Sequence, residues 1–184
     1  MTHFGGDQMI DFRALIEKVQ IRTGMHVADF GCGRSGHLVF PLAKIVGAKG
    51  SVYAVDVLKE TLEIISQRAK SEAHIRVHPV WADIERIGEV PISAGSLDVI
   101  FLVNTLVQCD NRHAVLEEAR RLLKDKARFV IVDWFKKGMS FGPDDERFVD
   151  FLDIVSWARM HGYGVQEEFL MGPFHKGVVL LKQE

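Results

Sequence analysis

The residues best placed to do chemistry lie close together: Val27-Ala28-Asp29-Phe30-Gly31-Cys32-Gly33-Arg34-Ser35-Gly36-His37, followed by Val52-Tyr53-Ala54-Val55-Asp56. A buried strand over residues 26–30 runs into a glycine-rich turn, and a helix starts near Gly36. A second apolar strand then ends in Asp56, twenty residues after Gly36. Glycines let a backbone approach a ligand closely, and a carboxylate at a strand end can accept both hydroxyls of a ribose. The pattern therefore reads as a nucleotide-binding strand, turn and helix. Taken singly, Asp29 or Asp56 reads first as a carboxylate capping a turn. Together, with the strand and helix around them, they point to a ligand. Cys32 reads as a small residue in a tight turn rather than a nucleophile.

The elements that must position these residues follow from periodicity. Residues 8–21 form an amphipathic helix with Ile10, Leu15, Ile16 and Val19 on its apolar side, closed by Thr23-Gly24. Strands are predicted over 26–30, 51–55, 75–81, 97–103 and 127–133, with helices over 36–46, 58–73 and 112–124 between them. Such crossovers suit parallel strands, and runs such as Val99-Ile100-Phe101-Leu102-Val103 suit burial on both faces. The fold class is α/β, a Rossmann-like doubly wound sheet. The last third changes character: a helix over 144–161, then strands over 165–171 and 177–182 joined by Gly172-Pro173-Phe174-His175-Lys176. This adds an antiparallel hairpin to a mostly parallel, seven-stranded sheet. Residues 136–143 read as a loop, and residues 1–184 as one domain whose first 24 residues form a helix and lid segment.

Composition narrows the classes. With 184 residues, 47% hydrophobic and a net charge of −2, the chain reads as an ordinary globular domain without the basic excess of a nonspecific nucleic-acid binder. No stretch approaches a membrane span and no signal segment is evident, so the expected location is cytoplasmic. Cys32 and Cys109 lie far apart, without the spacing of a zinc site or a disulfide framework. His74 and His78 could share a strand face, but without further ligands they read as a solvated pair, and no metal is expected.

Read in order, these segments resemble the class I S-adenosylmethionine-dependent methyltransferases over almost the whole chain, and within them the small-molecule enzymes of quinone-biosynthesis type. Asp29-Phe30-Gly31-Cys32-Gly33 is similar to the family's Asp-x-Gly-x-Gly turn, Asp56 falls where an acid binds the ribose, and Ala82-Asp83-Ile84 resembles the adenine segment. Residues 97–104 resemble the fourth strand, and Ala119-Arg120-Arg121-Leu122-Leu123-Lys124 the helix end before the fifth. The resemblance implies S-adenosylmethionine as cofactor, S-adenosylhomocysteine as product, and Asp29, Gly31, Cys32, Gly33, Gly36, Asp56, Val57, Asp83, Ile84 and Asn104 as cofactor-binding residues. Two departures stand out. Ser35 occupies the place of a third glycine, and Lys124-Asp125-Lys126-Ala127 stands where members often have Lys-Pro-Gly-Gly. The Asn-Pro-Pro-Tyr motif of amino-methylating members is missing, and Asn104 and Asp133-Trp134 do not match the metal-dependent arrangement.

Methyl transfer from a sulfonium needs alignment and a dry pocket more than a catalytic side chain, so none is assigned. Substrate candidates at the carboxyl ends of the strands are Arg34, His37, Thr105, Gln108, Trp134, Phe135, Phe141 and His175. The acceptor is expected over strands four and five, between Asn104, Thr105, Trp134 and the Phe141 loop, with the segment around Phe4 and the His175 turn closing over it. Each candidate has a structural alternative: His37 capping the helix, His175 filling the hairpin turn, Trp134 and Phe135 covering the sheet end. Three rival functions share the same turn. They are an NAD-linked oxidoreductase, a noncatalytic cofactor-binding protein, and an RNA methyltransferase, the last suggested by residues 46–55 and opposed by the net charge.

Overall fold

The computed structural model describes residues 9–73, 76–135 and 137–183. Phe4, His74 and Lys136 lie outside them. The chain runs α1 (Phe12–Val19), β1 (His26–Phe30), α2 (Val39–Val46), β2 (Ser51–Asp56), α3 (Lys59–Ser71), β3 (Val77–Trp81) and β4 (Leu97–Val103). It continues through α4 (Arg112–Leu122), β5 (Leu123–Trp134), α5 (Phe151–Met160), β6 (Tyr163–Met171) and β7 (His175–Lys182). The seven strands form one sheet in the order β3-β2-β1-β4-β5-β7-β6. The first five are parallel, and β7 pairs antiparallel with both β5 and β6.

Alternation along each strand feeds two cores. Phe30, Ile100, Leu102 and Phe129 face the side covered by α4 and α5, whereas Val27, Phe101 and Val130 face α1, α2 and α3. The order reverses direction between β1 and β4, which opens a crevice at the carboxyl ends of these strands.

Several element ends differ from expectation, each for a local reason. Helix α1 starts at Phe12 because the Asp11 carboxylate accepts the Ala14 N–H at 3.0 Å, and it stops where Gln20 turns left-handed at φ 54°. Helix α2 begins at Val39, not near Gly36, since Gly36 has φ 56° and cannot continue a right-handed helix. Helix α4 ends at Leu122 and β5 begins at once, two residues before the expected helix end. Lys126, in the place of a glycine in the Lys-Pro-Gly-Gly pattern, adopts φ 62°, and the β4–β5 register slips there. The helix expected over 144–161 is a short 3-10 turn, Asp145–Arg147, then α5 from Phe151. The Asp150 carboxylate accepts the N–H groups of Leu152 and Asp153 and so sets the start, leaving Phe148 outside the helix. The hairpin turn is only residues 172–174, and His175 is already in β7.

Candidate cofactor and acceptor site

The turn after β1 is clamped from two sides. The N–H groups of Gly31 and Cys32 donate to the Val55 carbonyl of β2, at 2.8 and 3.2 Å. Beyond β4, the Thr105 hydroxyl donates to the Phe30 carbonyl at 2.7 Å. Its side chain packs so closely that a Cβ on Gly31 would lie 2.9 Å from the Thr105 oxygen. Gly31 and Gly33 take φ of 75° and 63°, and a Cβ on Gly33 would meet nothing within 4 Å, so that glycine faces open space. Gly36 is a glycine for another reason. A Cβ there would lie 2.7 Å from Ile65 and 2.8 Å from Phe40, and Gly36 lines neither cavity of the site.

Asp56 closes β2 and braces this turn. Its carboxylate accepts the Gly33 N–H at 3.2 Å on one oxygen and the Leu58 N–H at 2.9 Å on the other. A carboxylate offers about four acceptor positions, so roughly two remain for a diol. Asp83, after β3, accepts the Glu85 N–H at 3.0 Å and pairs with Arg86 at 3.2 Å.

Two cavities meet at Gly31 and Asn104. The larger, about 380 Å³, is lined by Asp56, Val57, Leu58, Ala82, Asp83, Ile84, Glu85, Thr105, Gln108 and Cys109 besides the shared pair. The smaller, about 100 Å³, adds Phe12, Asp29, Cys32, Gly33, His37, Leu38 and Val103. Asn104 stands at their junction in the left-handed region, φ 56°, with its backbone N–H donated to Val132 at 2.9 Å. Both polar atoms of its side chain are buried without a hydrogen-bond partner. Buried amide groups are nearly always paired, so an unpaired one at a cavity junction suits a ligand's polar groups.

The far wall of the larger cavity rests on Asp133 and Arg112, to which the sequence reading gave no role in the site. The Asp133 carboxylate, fully buried, accepts the Val107 N–H at 3.1 Å and the Trp134 N–H at 2.8 Å. Burial pushes this acid up to about 7 against the pull of those N–H groups and of Arg112. The Arg112 guanidinium binds the Leu106 carbonyl at 2.9 Å, the Phe148 carbonyl at 3.1 Å and the Arg147 carbonyl. Together they hold the 3-10 turn Leu106–Gln108 that presents Gln108 and Cys109 to the cavity. Burial raises both thiols, Cys109 to about 12, with its Sγ 3.3 Å from the Thr105 carbonyl, and neither is set up as a nucleophile.

The substrate candidates fall into three groups. Thr105 and Gln108 line the larger cavity and His37 the smaller, where its ring stacks on Phe12 at 5.2 Å; the cap position of α2 belongs to Leu38. Arg34 points to solvent in an ion pair with Glu60. Trp134, Phe141 and His175 lie in an aromatic cluster with Phe174, in which the Trp134 ring sits 4.5 Å from His175 and 6.3 Å from Phe141 and from Phe174. Phe135 is outside that cluster's ring contacts, and Trp134 lines neither cavity. Met9 reaches the hairpin, its carbonyl lying where a Cβ on Gly172 would come within 3.0 Å. Among the described residues no group of three or more His, Cys, Asp or Glu could hold a metal ion, and no helix is long and apolar enough to cross a membrane.

Comparison with known proteins agrees with this geometry. Residues 21–141 match a family described as "Methyltransferase domain". A 2-phytyl-1,4-naphtoquinone methyltransferase of Trichormus variabilis is 30% identical over 152 residues, covering 80% of this chain and 62% of the relative. An arsenite methyltransferase of Aquipseudomonas alcaligenes is 34% identical over 114 residues, 60% of this chain and 33% of that protein. The chain thus spans about three-fifths of the length of the naphtoquinone relatives it matches. Among solved structures, a SAM-dependent methyltransferase from Aquifex aeolicus superposes with a TM-score of 0.83 at 25% identity, covering 96% of this chain and 92% of that one. The [4+2]-cyclase SpnF shares the fold at 11% identity and a TM-score of 0.78, over 94% of this chain and 80% of that one. The fold alone therefore hosts more than one chemistry. The family match spans residues 21–141, a range that includes the Asp29–Gly33 turn, Asp56 and Asp83, and by it the chain belongs to the methyltransferase-domain family.

Proposed function

We propose that this protein binds S-adenosylmethionine and transfers its methyl group to a small-molecule acceptor by direct in-line displacement. The observation that carries the reading is the pair of cavities meeting at Gly31 and Asn104, with Asp29, Asp56 and Asp83 at the ends or exits of three adjacent strands. The larger volume suits an adenosine, with Asp56 toward the ribose diol and Asp83 and Ile84 toward the base. The smaller suits the amino-acid end, with Asp29 and the open face of Gly33 beside it. The unpartnered amide of Asn104 falls where the two halves join. Cys32 and Val57 contribute walls, and Gly36 acts through packing.

When bound, the sulfonium supplies an already activated methyl group, and S-adenosylhomocysteine is left after transfer. What remains for the chain is alignment and exclusion of water. Thr105 and Asp56 hold the glycine turn, while Asp133 and Arg112 hold the opposite wall. The stacked Phe12 and His37 line the amino-acid end, so the start of α1 contributes to the wall of the site. The names of the relatives, with quinone and arsenite acceptors, support a small molecule as acceptor.

Calorimetric titration tests the reading. We expect S-adenosylhomocysteine and S-adenosylmethionine to bind and NAD to bind much more weakly. NAD binding as tight as both sulfur nucleotides would overturn it in favour of the oxidoreductase reading.

A further inference from the structure

The segment that brings Asp83 and Ile84 to the larger cavity has little core contact of its own. Ala82 and Val90 at its two ends are buried, but no residue between them is, and Arg86 through Glu89 are exposed. The Asp83 carboxylate is braced by the Glu85 N–H and by Arg86. Those bonds lie within the segment and do not set its place over the sheet. A site that reads one amino group of a base needs its acceptor held to about 0.5 Å.

The bonds that set that place run to α4. Glu118, in the second half of that helix, is fully buried and lines neither cavity of the site. Its two carboxylate oxygens accept the Gly88 N–H at 2.7 Å and the Val90 N–H at 2.9 Å. The Arg121 guanidinium, one turn further on, forks onto the same two oxygens at 2.8 and 2.7 Å and donates to the Val90 carbonyl at 2.9 Å. Burial pushes Glu118 upward, but Arg121 and the two N–H groups outweigh it and hold the acid below the ordinary carboxylate range, so it is charged. About two turns earlier, the N–H of Asn111, the cap residue of α4, donates to the Glu85 carboxylate. The next residue, Arg112, holds the opposite wall through the Leu106 carbonyl. One helix therefore sets the gap between the two walls of the larger cavity.

Resting on the methyl-transfer reading of the same site, we propose that Glu118 is a positioning residue for base recognition. From α4 it fixes the segment that carries Asp83 and Ile84, and so sets how well the site tells a purine with an amino group from one without it. A buried ion pair adds little to stability that an apolar pair of similar volume would not supply. Here the carboxylate ends on two backbone N–H groups of an exposed segment, which gives the pair a use in specifying where that segment lies.

The test compares two ligands that differ only in the base: S-adenosylhomocysteine and S-inosylhomocysteine, whose ring carbonyl in place of the amino group leaves Asp83 without its donor. Calorimetry on the wild type is expected to show a preference of about tenfold for the adenine compound. In Glu118→Gln that preference is expected to shrink about fivefold, because the loss falls on the adenine compound. A carboxylate that only stabilised the fold would weaken both ligands alike and leave the ratio unchanged. A second measurement needs no variant: in the wild type, hydrogen exchange at the Gly88 and Val90 amides is expected to slow when S-adenosylhomocysteine is bound. Neither residue lines the cavity, and a latch that favours the ligand must by linkage be favoured by it. An unchanged ratio in folded Glu118→Gln, unchanged exchange at those two amides, or a wild type that binds both compounds equally would each overturn the proposal. Failure of the wild type to bind S-adenosylhomocysteine at all would instead overturn the methyl-transfer reading, and this inference with it.

Discussion

Removing the Asp56 carboxylate separates the bracing role seen in the fold from the ligand-binding role proposed for the same group. Toward the protein, Asp56 accepts the N–H groups of Gly33 and Leu58. Toward the cavity, about half of its acceptor capacity remains for a ribose. The group is half-buried and Leu58 is exposed, so in Asp56→Ala water can replace the carboxylate at the Leu58 N–H more readily than at the Gly33 N–H. We expect a stability loss of about 1 kcal/mol, in line with one neutral hydrogen bond. For the ligand, a hydrogen bond to a charged group contributes about 1.5–3 kcal/mol, so affinity for S-adenosylhomocysteine should fall roughly 10- to 150-fold. Asp83→Ala is the internal comparison. Its carboxylate already serves the Glu85 N–H and Arg86, and a single neutral donor from adenine contributes about 0.5–1.5 kcal/mol, or roughly 2- to 12-fold. Calorimetry gives both dissociation constants, and urea melts on the same samples give both stabilities. A dissociation constant unchanged in Asp56→Ala would remove this residue from the binding site. A larger effect for Asp83 than for Asp56 would place the ribose elsewhere.

Thr105→Val keeps the methyl group against Gly31 but deletes the 2.7 Å bond to the Phe30 carbonyl, so urea melts should show a loss of about 1–3 kcal/mol; an unchanged midpoint would show that the clamp on the turn is not set by this hydroxyl. His175 falls from an ordinary 6.5 to about 4, so between those values the unfolded chain binds more protons and stability contributed by the neutral ring is lost as pH falls. The stability of His175→Phe relative to wild type should therefore rise by up to about 3 kcal/mol from pH 7.5 to pH 4, read as a difference so that the opposite slope of Asp133 cancels; a constant difference across that range would refute the buried, neutral state.

The parts of the molecule legible in the sequence are those governed by short-range pattern. Strand periodicity placed His26–Phe30 and Leu97–Val103 at their observed ends, and the Rossmann-like order with a final antiparallel hairpin followed from the alternation of elements. What pattern did not reach is side-chain capping and contact across distant elements. Asp150 starts α5 in the middle of a continuous helical periodicity, because its carboxylate competes for the same N–H groups. Gly36 looked like part of a nucleotide turn, yet its need for glycine comes from Phe40 and from Ile65 on the next helix. Asp133 and Arg112 build a cavity wall together from residues 21 positions apart; Asp133 stood out only as part of a pair that does not match a metal site, and nothing in the local sequence marks Arg112. His175 appeared as a turn residue; only the ladder that pairs it with Trp134 reveals an imidazole enclosed by aromatic rings.

The place of β7 bears on how the chain assembles. It follows β6 in sequence yet lies between β5 and β6, so β6 has no edge to join until β7 is present. The connection between them is only residues 172–174, and closing so short a loop is fast compared with bringing distant strands together. The two strands can thus pair first and dock as a ready ribbon, β7 leading, onto the outer side of β5. Until that happens β5 remains an open strand edge whose Phe129 and Ile131 are destined for the interior, which leaves it open to pairing with the wrong chain during synthesis.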